Sequence, residues 1–233
     1  MDDIKKNKFF LLIGLKKIQF LALDENNKTL LIKKFLANSS SLEESLKILE
    51  KFLDQNILNI EKKINTHIKE IELIINYDEF LTVDVSTIHN LNLNNVYSEI
   101  TSNLLLDIKN NVIENLHNYE LAHMTINRFI INGKEFLEVP SNSNYDNIFF
   151  EIKFIFLKSN TLKNLKKIFL KYEILIKNFS CYDYICNFNS SNSENIFELT
   201  EKLRGGFNHK EILFINKSSK NLSFFEKFFN FFS

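Results

Sequence analysis

The 233-residue sequence is poor in the residues that punctuate or cross-link a chain: it has one proline, four glycines, two cysteines and no tryptophan. Cys181 and Cys186 are too few for a disulfide framework, and no histidine or second cysteine pair lies near them in sequence to build a zinc site. We therefore predict two reduced thiols, as in a cytosolic protein, and no metal.

The scarcity of glycine also excludes the usual phosphate-binding loops. Gly14 and the pair Gly205 and Gly206 form neither GxGxxG nor GxxxxGK, so a strand bulge at Gly14 and a linker turn at the pair are favoured. No serine or cysteine stands on a glycine elbow, and the five histidines share no spacing. We predict no catalytic residue and no cofactor, with a structural role for His123, which lies inside an apolar strand.

Net charge and long apolar runs are missing as well. Lysine plus arginine equals aspartate plus glutamate at 29 each, so no global field favours nucleic acid as a partner. The apolar run that begins at Phe9 is interrupted by Lys16 and Lys17 and lacks a cleavage site, and no later run approaches the roughly 18 residues of a membrane span. We predict a soluble or peripheral protein.

What the sequence does contain is 45% apolar residues in clear periodic patterns, enough for a core in one large or two small domains. Residues 8–36 indicate an antiparallel meander with a turn at 24–28, and residues 42–56 an amphipathic helix capped by serines. The pattern then predicts further elements: strands at 68–78, 80–91, 121–133 with a hairpin turn, 148–158 and 173–188, and helices at 94–116 and 161–172.

The last thirteen residues, 221–233, contain six phenylalanines and separate into two halves when placed at about 100° per residue. The apolar half consists of Leu222, Phe224, Phe225, Phe228, Phe229, Phe231 and Phe232. If each phenylalanine gains about 1 kcal/mol by partial insertion into lipid, this face supplies roughly 6 kcal/mol, a reversible affinity between millimolar and micromolar.

Two lysines complete the predicted membrane-binding set. Lys220 and Lys227 each add up to about 1 kcal/mol on an anionic leaflet, partly opposed by Glu226. The alternative is that residues 221–233 dock on the body of the same protein as a last core helix. The polar stretch 189–195 and the segment NKSSKN before the phenylalanines favour a mobile connection and therefore a membrane surface.

Residues 12–25, LIGLKKIQFLALDE, resemble the opening hairpin of the actin-like ATPases, in particular the FtsA family of bacterial cell division. That family has Asp-Ile-Gly-Ser followed by a lysine and an isoleucine. The matching residues are Ile13, Gly14, Lys17 and Ile18. Leu12 and Leu15 replace the aspartate and the serine, which hold metal-bound water and phosphate in the family. The resemblance therefore implies the fold without the ATPase chemistry.

Two later stretches resemble the family as well. Residues 121–133 are similar to a strand with a histidine that leads to an aromatic residue and an Asp-Gly turn, and residues 149–178 to the stretch that follows. The corresponding residues are His123, Phe129, Asn132, Gly133 and Asn164. With the strand and helix before them, these stretches resemble the strand-helix-strand-strand SHS2 subdomain. FtsA members also end in a flexible linker and a short amphipathic membrane helix.

The resemblance implies a mixed α/β (α+β) protein in four parts. These are a partial actin-like, ribonuclease H-like subdomain (1–78), an SHS2-type subdomain (79–187), a linker (188–220) and an amphipathic membrane-targeting helix (221–233). The implied function is a non-enzymatic cell-division adaptor, peripheral on the cytoplasmic face of the cell membrane. Its partners would be lipid and divisome proteins, with FtsZ as a candidate, and the SHS2 part would provide the protein-contact surface.

Two other functions stay open. One is an actin-like scaffold of the pilus-assembly type, which midcell localisation distinguishes from a division protein. The other is a residual nucleotide-binding ATPase, which ATP-dependent thermal stabilisation would reveal. Leu12 and Leu15 predict no such stabilisation.

Overall fold

The computed structural model describes residues 7–90, 97–136, 147–189 and 195–213. The strands are β1 (Lys8–Gly14), β2 (Lys17–Leu23), β3 (Thr29–Leu36), β4 (Glu70–Asn76), β5 (Phe80–Asn90), β6 (Tyr119–Ile131), β7 (Lys134–Phe136), β8 (Asn147–Lys158) and β9 (Leu175–Cys181). The helices are α1 (Leu42–Ile64), α2 (Tyr97–Asn115), α3 (Ser159–Leu170), α4 (Tyr182–Cys186) and α5 (Ile196–Arg204). The predicted mixed α/β class is confirmed.

The chain divides into two compact units. Within the described residues, the first contains residues 7–80 and 157–205, and the second contains residues 81–156 and 206–213. The second unit is thus largely an insertion in the sequence of the first.

The first unit is built on a five-stranded sheet with the order β3-β2-β1-β4-β9. The first three strands form an antiparallel meander, β4 runs parallel to β1, and β9 runs parallel to β4. Only β2 runs antiparallel to the other four strands, and this arrangement with β2 beside β1 is the strand order of a ribonuclease H-like sheet. The fold class predicted for the start of the chain is therefore confirmed.

The predicted turn at 24–28 joins β2 to β3. Asp24 Oδ1 accepts hydrogen bonds of 2.8 Å from the backbone N–H groups of Asn26 and Lys28, and Asn27 adopts a left-handed φ of 62°. An aspartate that binds the backbone two and four residues ahead stabilises this turn without glycine.

Helix α1 is longer than the sequence predicted. Ser41 caps its start, as expected, but the helix continues past residue 56 to Ile64 and ends at Asn65, which has a left-handed φ of 50°. Ile57 and Ile60 extend the buried stripe of Leu49 and Leu53 by two turns, which explains the continuation.

The sheet of the first unit is covered on both faces. One face packs against α1 and α3 in a large apolar cluster that includes Leu11, Phe52 and Phe169. On the other face Phe10 of β1 meets Phe197 of α5, with ring centroids 6.0 Å apart. The strand β4 is therefore buried on both sides, as its sequence predicted.

The boundaries between the parts differ from the prediction. Residues 157–187, expected in the second subdomain, belong to the first unit because β9 pairs with β4 and α3 packs on that sheet. The expected linker 188–220 contains α5, whose Phe197, Leu199 and Leu203 are buried. Local patterns predicted these elements, but the parallel β4–β9 pairing joins residues about a hundred positions apart.

The second unit has a four-stranded sheet with the order β5-β8-β6-β7 and a core shared with α2. Its elements follow the order strand, helix, strand, strand, strand, so the order that the resemblance implied for residues 80–158 is present with the three-residue strand β7 added between β6 and β8. The predicted hairpin turn is confirmed: Asn132 (φ 48°) and Gly133 (φ 76°) join β6 to β7. Two successive residues with positive φ suit the right-handed twist of a hairpin.

Most of the described residues with a left-handed backbone conformation are asparagines. Five described residues other than glycine have positive φ, and all but Glu173 are asparagines: Asn27, Asn38, Asn65 and Asn132. A short polar side chain tolerates this conformation better than other side chains do. The scarcity of glycine is thus compensated at the turns.

Candidate functional site

The β1–β2 hairpin occupies the position of the phosphate site in the actin-like family. The sequence predicted that this chain lacks that site, because Leu12 and Leu15 replace the family's aspartate and serine. Leu12, in the position of the family's aspartate, is fully buried, and Leu15, in the position of the serine, packs against the core of the first unit. Both leucines serve the apolar interior. Gly14, which ends β1, has a different role from the predicted bulge: a Cβ there would come within 3.0 Å of the Asn76 backbone oxygen, and the β1–β2 register is regular.

The carbonyl groups at the tip of this hairpin bind the protein's own donors. Leu15 O accepts hydrogen bonds from the backbone N–H of Ser39 (2.8 Å) and from its hydroxyl (2.7 Å). Lys16 O accepts the N–H of Ala37 at 2.9 Å. The segment after β3 therefore closes over the hairpin tip.

A buried pair of hydroxyl groups lies beneath the hairpin. Ser45 Oγ is 3.3 Å from Gly14 O and 2.8 Å from the Tyr77 hydroxyl. When Ser45 donates to Gly14, Tyr77 donates to Ser45. Burial raises the pKa of Tyr77, and the hydrogen bond to Ser45 opposes this shift only in part. This network joins β1, α1 and the residue after β4.

The first turn of α1, which is close in sequence to these contacts, is capped by its own side chains. Glu44 N–H donates to Ser41 Oγ at 3.2 Å, and the Glu44 carboxylate accepts the backbone N–H and the hydroxyl of Ser40, both at 2.8 Å. These two hydrogen bonds from Ser40 lower the pKa of Glu44. With Glu43 beside it, this turn presents negative charge, which is unfavourable for a phosphate.

In the second unit, a buried ionisable pair binds the last described segment to the sheet. His123 Nδ1 lies 2.7 Å from Glu211 Oε1, and each side chain is 6% exposed. The backbone adds two hydrogen bonds of 2.8 Å, from Ile126 N to Lys210 O and from Ile212 N to Met124 O. Residues 210–212 thus extend the sheet beside β6, and His123 is buried there with a carboxylate partner; its structural role stays a prediction.

The predicted membrane-binding residues are Leu222, Phe224, Phe225, Phe228, Phe229, Phe231, Phe232, Lys220 and Lys227, and all of them lie outside the described residues. That prediction stays a prediction. Among the residues the structure does describe, no helix is both long enough and apolar enough to cross a membrane.

Sequence reasoning missed three residues of these networks. Ser45 and Tyr77 carry no distinctive motif, and only the three-dimensional fold brings them together. Glu211 left a weak signal, since it is one acidic residue at the head of the apolar stretch EILFI. Over the described ranges, no group of three or more His, Cys, Asp and Glu is arranged to hold a metal ion.

The fold defines the chain as a mixed α/β protein whose first sheet has the strand order of actin-like folds. No protein-family model and no curated protein sequence matches it. Among solved structures, the cytoplasmic domain of EpsL, an inner membrane component of the type II secretion system of Vibrio cholerae, is similar over 77% of this chain and 58% of its own. The identity is 10% and the TM-score 0.36.

Two other solved structures are similar at comparable levels. The PilM–PilN type IV pilus biogenesis complex matches over 78% of this chain and 49% of its own, at 6% identity and a TM-score of 0.42. Marinitoga piezophila Argonaute with a 5′ OH guide RNA matches over 73% and 27%, at 12% identity and a TM-score of 0.26. The chain spans about half the length of the first two proteins. These three TM-scores are below 0.5, so the similarities carry no argument about function.

Proposed function

We propose that this chain is a non-enzymatic actin-like adaptor that works at the cytoplasmic membrane face and holds components of a membrane-associated assembly. The observation that carries the proposal is the hairpin between β1 and β2. Leu12 and Leu15 serve the core there, and Ser39 and Ser45 bind the carbonyl groups at and before its tip. A hairpin stabilised by these internal contacts supports a scaffold rather than an ATPase.

The first test is nucleotide binding. ATP with Mg²⁺ at 100 times its Kd would stabilise a binding protein by about 2.7 kcal/mol. For a chain of this size that corresponds to a rise in Tm of roughly 5 to 10 °C. We expect no rise in thermal denaturation up to millimolar ATP. A concentration-dependent rise would contradict the non-enzymatic proposal and favour the residual ATPase.

Membrane attachment through residues 221–233 is the second part of the proposal. It is supported by the sorting of six phenylalanines to one half of the helical wheel and by the flanking lysines. Liposome co-sedimentation of the full chain, with and without residues 221–233, tests it.

We expect the deletion to abolish sedimentation with anionic vesicles. Replacing Phe228 and Phe229 by serine should reduce binding strongly, whereas Asn230→Ala, on the polar half of the wheel, should leave it unchanged. Equal sedimentation of the full and shortened chains would overturn the membrane role.

The proposed adaptor has two alternative sets of partner proteins. In the FtsA-like version the chain binds divisome proteins, with FtsZ as a candidate. In the other version it is an actin-like scaffold of the pilus-assembly type. The solved structures similar to this chain include a type IV pilus biogenesis complex, PilM–PilN, and the cytoplasmic domain of EpsL from a type II secretion system. Imaging of a tagged copy separates them: a band at midcell supports the division adaptor, and its absence from midcell supports the pilus-type scaffold.

A further inference from the structure

The edge strand β3 of the first unit exposes apolar side chains, whereas the inner strands β2, β1 and β4 bury theirs. Leu30, Ile32, Phe35 and Leu36 are 43%, 45%, 38% and 76% exposed. Among the described residues β3 pairs with β2 and with no other strand, because it ends the sheet order β3-β2-β1-β4-β9. About half of its peptide groups therefore point away from the sheet, as at any antiparallel edge.

The apolar surface continues from the buried interior out to this edge. Leu21 of β2 is 1% exposed, and its partner in the ladder, Ile32, is 45% exposed. On the opposite side Leu31 packs on the core with α1. A bulge at the N-terminal end of β3, between the pairs of Ala22 and Leu23, leaves Leu31–Leu36 as the regular part of the edge.

The charge at this edge has one sign. The strands β2 and β3 contain Lys17, Lys33 and Lys34 and no acidic residue. Lys33 is hydrogen-bonded to Asn56 of α1, whereas Lys34 alternates to the other face, the face of Ile32 and Leu36. Lysines on an edge strand oppose pairing with an identical strand, since like charges would meet, and they attract a strand that carries carboxylates.

We propose that Leu31–Leu36 is a docking edge for an extended, acidic segment of a partner protein. The segment adds a strand to the sheet by backbone hydrogen bonds, places apolar side chains beside Ile32 and Leu36, and places a carboxylate beside Lys34. This inference is independent of the nucleotide and lipid tests above, because peptide binding is measured separately from both.

The probe is a fluorescent seven-residue peptide with valine at positions 2 and 6, glutamate at position 4 and threonine elsewhere, so that both valines and the glutamate share one face of the added strand. It is compared with the same peptide carrying lysine in place of glutamate. Anisotropy titration of the full chain should show saturable binding of the acidic peptide, tighter than the lysine peptide by about tenfold at low ionic strength and by less at high salt. Equal affinities, or no saturable binding up to about 1 mM, would overturn the proposal.

The other edge of the same sheet provides the controls. Lys34→Glu should weaken binding of the acidic peptide about tenfold, while Lys177→Glu on the edge strand β9, where Lys177 is also exposed, should leave it unchanged. Likewise Leu36→Thr should weaken binding and Leu175→Thr should not. Equal losses at both edges would refute docking on β3.

The same variants and peptides also test two other occupants of the β3 edge: a second copy of the chain and the chain's own terminal segments. A dimer in sedimentation equilibrium that Lys34→Glu disperses or Leu36→Thr weakens would mean that a second copy covers the edge. Tighter peptide binding after removal of residues 1–6 or 214–233 would mean that the chain covers its own edge. Either result would overturn docking by a partner protein.

Discussion

The two units bury polar side chains of different kinds. Within the described residues the first unit buries five hydroxyl groups: Ser45, Ser159, Thr161, Ser180 and Thr200. The second buries His123, Thr125 and Glu211. A hydroxyl both donates and accepts and finds partners nearby, whereas a buried imidazole and carboxylate depend on each other. The second unit should therefore be the more sensitive to loss of one polar partner.

The largest expected effect comes from placing a charged side chain in the apolar core of the first unit. Leu12→Asp restores the aspartate of the resembling family at a position with no exposed surface. A fully buried carboxylate shifts its pKa by about 4 units, so the substitution should cost about 5 kcal/mol of unfolding free energy without creating ATP binding. Urea denaturation and ATP titration measure the two outcomes.

The matched control is Leu36→Asp on the exposed edge of the same sheet, which should change stability by less than about 1 kcal/mol. Similar costs at both positions would show that Leu12 is not the buried residue the fold assigns, and recovered ATP binding would contradict the non-enzymatic proposal.

The next effect tests the ionisable pair. Glu211→Ala leaves His123 without its carboxylate partner and should destabilise the second unit by about 3 kcal/mol. Glu211→Gln keeps an acceptor for Nδ1 and should cost less. Hydrogen exchange of the backbone amides of Met124 and Ile126 reports on this unit directly.

The exposed pair of Arg128 and Glu135, 3.3 Å apart, is the comparison. Glu135→Ala should cost below about 1 kcal/mol because solvent screens the pair. If both alanine variants proved equally mild, the buried pair would be no more sensitive than an exposed pair, and the sensitivity expected of the second unit would be contradicted.

The smallest effect concerns the hydroxyl pair of the first unit. Tyr77→Phe removes one hydrogen bond to Ser45, which still has Gly14 O as an acceptor, so about 1 kcal/mol should be lost. Denaturation near neutral pH measures it.

The same variant tests the pH dependence. Because the pKa of Tyr77 is raised above 10.0 in the folded state, its contribution is complete below pH 10 and is lost as the pH rises through the folded pKa. The wild type should therefore lose more stability than Tyr77→Phe above pH 10. Parallel curves would contradict the assigned burial of the hydroxyl.

The sequence predicted the local elements well for a physical reason. Apolar periodicity, the serine cap at Ser41 and the turn residues Asn132 and Gly133 act between near neighbours. The length of α1 was underestimated because polar residues follow position 53, although Ile57 and Ile60 continue its buried stripe.

What the sequence could not show depends on distant partners. Nothing in the pattern of β9 names β4 as its neighbour, so residues 157–187 were assigned to the wrong unit. His123 and Glu211 are 88 positions apart, and their pairing follows only from the extension of the sheet beside β6. The internal contacts of the hairpin tip were hidden for the same reason, although Leu12 and Leu15 had already indicated its apolar character.

The asparagines at left-handed turns have a chemical consequence. Asparagine is among the thermolabile side chains, and its amide is lost most readily when a glycine follows. Asn132 precedes Gly133, and its Oδ1 also accepts the backbone N–H of Asn147 at 3.2 Å. Deamidation there would add a negative charge to a tight turn. A chain that uses asparagine in place of glycine at its turns therefore exposes those turns to deamidation.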